Sequence, residues 1–136
     1  MRSRITIVAF LLGSLVTLLA AGVFAAELGV QRNNVGGVTV AVTPQNLAAG
    51  AKSWDFKVVF DTHSGELKDD VAKNAVLVVD GGASYTPTAW QGDPPGGHHR
   101  EGTLKFNAIS PQSKTIELQI QRPGESKARS FRWQLK

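Results

Sequence analysis

The chain has 136 residues, a formal net charge of +4 and no cysteine. One domain suits this length, and the lack of cysteine excludes both a disulfide-stapled scaffold and a lipid-anchored cysteine. The charge is modest and spread along the chain, so neither nucleic acid nor an anionic membrane surface is an expected partner.

Arg2 and Arg4 precede an apolar run from Ile5 to Phe24, followed by "VFAAEL". A basic start, an apolar stretch and small residues at its end predict a secretory signal, residues 1–25, cleaved after Ala25. The run is also just long enough to span a bilayer, so an uncleaved anchor is the alternative, and only then is the membrane a partner. Removing the two arginines leaves thirteen basic residues against eleven acidic ones, a charge of +2. The expected location is periplasmic or extracellular. Residues 26–36 read as a polar, unpatterned lead-in, and residues 37–136 as the domain.

From Val38 onward the chain alternates. Val38, Val40 and Val42 share one parity, as do Trp54, Phe56, Val58 and Phe60. Leu104 with Phe106, Ile116 with Leu118 and Ile120, and Phe131 with Trp133 and Leu135 repeat the pattern. Period-two alternation predicts half-buried strands. "AVLVV", 75–79, is continuously apolar and predicts a more central strand. "SYTPTAW", 84–90, is weaker, and Pro87 points to an edge or a bulge. "TPQNLAAG", 43–50, reads as a short helical turn capped by Thr43 and opened by Pro44. "GELKDDVAK", 65–73, reads as one more helical turn. "DGG" at 80–82 and "RPGE" at 122–125 are turn signals, the latter in type II order. Seven strands in about 100 residues predict an all-β, immunoglobulin-like two-sheet antiparallel sandwich. Its expected core includes Val40, Phe56, Val58, Val78, Leu104, Phe106, Leu118 and Trp133. Trp54 and Trp133 read as packing residues, whereas Trp90 reads as the floor of a glycine-rich loop. Arg129 and Arg132 read as solvated side chains covering a sheet face.

All three histidines lie in two motifs, "FDTHSG" (60–65) and "GGHHREG" (96–102), both at predicted strand ends. Loops at one end of a sandwich converge and commonly carry function. His63, His98 and His99 with Asp61 form a candidate ligand set for copper, zinc or nickel. Trp90, Arg100 and Glu101 are candidate binding residues beside it. Neighbouring side chains in extended chain point to opposite faces, which opposes joint ligation by His98 and His99 unless the turn at Gly96–Gly97 redirects one. The competing reading has the histidines bracing a loop by hydrogen bonds and binding no metal. Nothing in the spacing supplies a catalytic constellation: there is no nucleophile elbow, phosphate loop or His-Glu-x-x-His.

"FDTHSGEL", then "WQG…GGHHREGTLKF" and the terminal "RSFRWQL" resemble an uncharacterised family of secreted or membrane-attached prokaryotic β-sandwich domains. The resemblance covers roughly residues 54–135 and rests on Thr-His-Ser and Gly-Gly-His-His-Arg motifs. It implies that the two motifs belong together, with no activity attached. The expectation is therefore a secreted, non-catalytic binding module, taking a divalent transition metal or, alternatively, an envelope protein partner.

Overall fold

β-branched and aromatic runs pair where their alternation lets one face leave water, and they stop where the backbone needs positive φ. The computed structural model describes residues 28–48, 50–109 and 113–135. Nine strands follow in chain order: β1 (Gln31–Val35), β2 (Val38–Asn46), β3 (Ser53–Thr62), β4 (Ala75–Val79), β5 (Ala83–Tyr85), β6 (Ala89–Gly92), β7 (His99–Asn107), β8 (Thr115–Ile120) and β9 (Arg129–Gln134). No helix occurs among the described residues. The predicted signal falls outside them.

The strands form two antiparallel sheets in a sandwich-like all-β fold. One has the order β1-β2-β3-β7-β6 and the other β5-β4-β8-β9. Their inward residues share one core. Phe56, on β3 of the first sheet, meets Phe106 edge-on at 5.7 Å and Trp133 of the second sheet at 5.8 Å. Leu67 and Val71, four residues apart between β3 and β4, are both buried and close one end.

Several expectations change. The polar lead-in contains β1, which pairs with β2 from Gln31↔Val42 to Val35↔Val38. Its own residues gave no alternation to read, because it is an edge strand with little to bury. Thr43–Asn46 do not wind into a helix; they prolong β2 against β3, with a register shift between Pro44 and Asn46. A bulge at that point suits a residue with no N–H to donate. The weak strand at 84–90 is two strands in two sheets, β5 and β6, with Pro87 in the passage between them. Val78 is not core. "AVLVV" alternates buried and half-buried, and Val78 faces outward between Ser84 and Glu117. The other seven expected core residues are buried.

The turns follow their chemistry. Glu125 N–H donates to the Arg122 carbonyl at 3.1 Å, with Gly124 at φ 82°. Gly92 and Gly102 are cross-strand partners. A Cβ on Gly102 would lie 2.6 Å from Gly92 Cα and 2.8 Å from Trp90 Cζ2, so the indole packs directly onto bare backbone.

Candidate functional site

The register places four connections at one end of the fold: the β1–β2 turn, segment 63–74, segment 93–98 and segment 121–128. Both histidine motifs lie here. Segments 63–74 and 93–98 clasp through their backbones. Thr62 N–H donates to the His98 carbonyl at 2.9 Å, Leu67 N–H to the Gly97 carbonyl at 3.0 Å, and Gly96 N–H to the Leu67 carbonyl at 2.9 Å. Gly96 and Gly97, at φ 121° and 74°, take conformations that side chains disfavour, and this brings the clasp together.

Arginines carry the rest of the connection. Arg100 has only 3% of its surface exposed. Its guanidinium donates to the carbonyls of Asp93 (3.1 Å), Asp69 (2.6 Å) and Leu67 (3.4 Å), and lies 5.6 Å from the centre of the Trp90 ring. Trp90 itself donates from Nε1 to the Asp93 carbonyl at 3.1 Å. The Asp69 carboxylate then takes both a 2.6 Å and a 3.0 Å bond from Arg122. Glu125 accepts from Arg122 at 3.4 Å and from Arg129 at 2.8 and 2.6 Å. Arg129 ends the series by donating to the carbonyls of Asn33, Val35 and Val38 in the β1–β2 hairpin. One chain of charge-assisted bonds thus links all four connections. Hydrogen bonds from Arg129, with its charge and that of Arg122, hold the Glu125 carboxyl below its ordinary range against the opposing effect of burial. The Asp69 hydrogen bond in turn raises Arg122.

Arg129 corrects the expectation of a solvated side chain, for it is 2% exposed. Its parity matches that of Phe131 and Trp133, so the strand points it inward at the loop end, where carbonyls and Glu125 satisfy it. Arg132, on the other parity, is exposed as expected and pairs with Glu117.

The histidines divide. Asp61 and His99 are direct partners across β3 and β7, on the outer face, and His99 Nδ1–H donates to Asp61 Oδ1 at 2.5 Å. His99 Nε2 lies 3.4 Å from Glu101 Oε2. The imidazole is thereby raised above its ordinary titration range, chiefly by the Asp61 bond. The two ring nitrogens diverge, so the two carboxylates flank the ring rather than meeting it at one point. His63 and His98 are exposed, and neither side chain makes a hydrogen bond to a described residue. Among the described residues no group of three or more His, Asp or Glu side chains is placed to hold a metal ion. The fold therefore joins Asp61, His99 and Glu101, and separately joins Trp90 and Arg100.

Sequence reasoning missed Asp69, Arg122, Glu125 and Arg129. The one available signal was parity: Arg100 and Arg129 each continue the inward series of their own strand. Comparison with family models, curated proteins and solved structures returned no match to this chain.

Proposed function

We propose that the chain is an exported, periplasmic or extracellular, non-catalytic binding module on an immunoglobulin-like sandwich, and that it binds through the arginine-linked loop end. The observation that carries this reading is Arg100. It is buried and uses its donors on the carbonyls of two separate loops, while His63, His98 and His99 beside it stay exposed. A surface already ordered before contact loses less freedom on binding. Loops held rigid by a scaffold are where binding residues are commonly carried. The favoured partner is another protein of the envelope.

A transition metal ion is the second reading. It is favoured by His63 and His98, which keep their ring nitrogens uncommitted at the same end.

Site-specific photo-crosslinking in cells tests the first reading, with the crosslinker at residue 98 and, as control, at Gln134 on the opposite end of β9. A product of defined mass from residue 98 alone is expected. Equal labelling from both positions overturns the reading. Calorimetric titration with copper, zinc and nickel tests the second, which requires saturable uptake at neutral pH that disappears in His63→Ala.

A further inference from the structure

The end of the fold opposite the histidines carries four half-buried apolar side chains. Leu47 follows the outermost β2–β3 pair, Asn46↔Asp55, and Ile109 lies just past the outermost β3–β7 pair, Ser53↔Asn107. Leu135 follows the outermost β8–β9 pair, Thr115↔Gln134. Leu28 precedes β1, which runs from this side to the Val35–Val38 turn at the loop end. The Gly29 carbonyl accepts from Trp133 Nε1 at 2.8 Å and fixes the entry of the chain beside β9. All four side chains pack on the core with one side and leave the other open. Two exposed lysines, Lys52 and Lys114, sit in the connections beside them. The carboxylate of the nearby β4–β5 turn, Asp80, is directed at the N–H groups of Lys114 and Thr115, at 2.8 and 3.0 Å. An apolar rim flanked by cations matches the layering of a bilayer surface, where hydrocarbon adjoins headgroups.

The point of chain entry says what covers this rim. Residues 1–27 join the fold at Leu28. Within them, Ile5–Phe24 is a run of 20 uncharged, largely apolar residues. That length suits a crossing of the hydrocarbon core, and it exceeds the roughly 7–15 apolar residues usual in a cleaved signal. Arg2 and Arg4 hold the first end on the side where basic residues are retained, which puts the domain on the exported side. Only Ala25, Ala26 and Glu27 separate the run from Leu28, a reach of at most about 14 Å. The headgroup layer is itself roughly 6 Å deep on each face. A tether this short holds the rim against the bilayer. It cannot bring round the loop end, which lies a strand length away, about 30 Å for β3.

We propose that the chain keeps Ile5–Phe24 as a membrane anchor and seats the rim of Leu28, Leu47, Ile109 and Leu135 on the phospholipid surface, with the loop end presented away from it. The proposal rests on the reading of the chain as exported with its binding end at the loops, and it adds the orientation in which that end is offered.

The test uses the full chain with its own N-terminus, expressed in bacteria. The native sequence has no cysteine, so one introduced cysteine carries a fluorophore at a single place. Ala48→Cys puts it beside the rim and His98→Cys puts it at the loop end; both positions are exposed, so neither label disturbs the core. The protein is taken from the membrane fraction, its mass is measured, and it is placed in phosphatidylcholine–phosphatidylglycerol vesicles that contain a lipid with a quencher on its headgroup. An intact N-terminus is expected, with loss of fluorescence at residue 48 and none at residue 98. Recovery of the chain only as a soluble form beginning at Ala26 or Glu27 overturns the proposal. Equal quenching at the two positions, or none at residue 48, overturns it as well. Failure here with the crosslink at residue 98 intact removes the membrane seating alone. Loss of that crosslink with the seating intact removes the loop end as the binding end and leaves the orientation standing.

Discussion

His99 and Asp61 face each other across the β3–β7 ladder, and the imidazole donates from Nδ1 to the carboxylate at 2.5 Å. The protonated ring gains most from Asp61, and the nearby Glu101 adds to it, so the folded-state titration midpoint is raised. The associated stabilisation is present below the ordinary imidazole range and is lost as pH rises through the folded-state midpoint. Both side chains are more than half exposed, so screening keeps the effect on stability small. An NMR titration should give His99 a midpoint above the ordinary value, and Asp61→Asn should bring it down. An unshifted midpoint in the parent protein would contradict the pairing.

Arg129 is the most heavily bonded of the buried arginines, with Glu125 and three carbonyls as acceptors. Truncation leaves all four without that partner in a site closed to water. Arg129→Ala should therefore lower unfolding free energy by about 3–5 kcal/mol, the range for breaking a buried ion pair on one side. Urea denaturation measures this. A loss below about 1 kcal/mol would mean that the loop end relaxes around the gap.

Glu125 gives the loop end an acid limit. Its folded-state titration is lowered by Arg129 and Arg122, so its contribution is present above the ordinary carboxyl range and is lost as pH falls through the folded value. Thermal unfolding followed from neutral to acid pH should show the parent losing stability faster than Glu125→Gln. Parallel curves would assign the acid sensitivity to other carboxylates.

Gly102 should not tolerate a methyl group. Its Cβ would meet Gly92 Cα and the Trp90 ring well inside contact distance, and one of those neighbours is backbone. Gly102→Ala is expected to cost about 1–3 kcal/mol, as overpacking does. It should also change the Trp90 fluorescence, because the indole must move. Gly124→Ala, with open space around its Cβ but φ at 82°, should lower stability without that spectral change.

Phe56 and Val78 separate the two faces of the strands. Phe56 is fully enclosed between Phe106 and Trp133, and Phe56→Ala should cost about 3–5 kcal/mol. Val78 looks outward and is half-buried, so Val78→Ala should cost less than about 1 kcal/mol. Comparable losses would invert the assignment of faces on β4.

Alternation made most of the fold readable. Val40, Phe56, Leu104, Leu118 and Trp133 announce their inward face because each strand has an apolar parity and a polar one. β1 was not readable, since Gln31–Val35 is an edge segment whose pairing is made by backbone groups that every residue shares. Pro44 misled because proline opens helices and also sits at strand bulges, and only the β3 partner decides between them. For the site, parity places Asp61, His99 and Glu101 on one outer face. The arginine chain was harder, because Arg100–Asp69–Arg122–Glu125–Arg129 joins residues from two strands and two loops, and no local spacing encodes such contacts. Reading Arg129 as a member of the Phe131–Trp133 series would have revealed one end of it.

One further contact lies along the β9 edge of the second sheet. Gln31, on the first sheet, extends its side-chain amide to the main chain of Arg132 on β9: Nε2 donates to the Arg132 carbonyl, and Oε1 accepts from its N–H at 2.8 Å. The amide thus mimics one residue of an adjoining strand and occupies the middle of an edge that would otherwise recruit another chain. A single glutamine acts there as a stopper against sheet growth. Its loss would open that edge to strand addition and aggregation in a fold that has no disulfide to hold it closed.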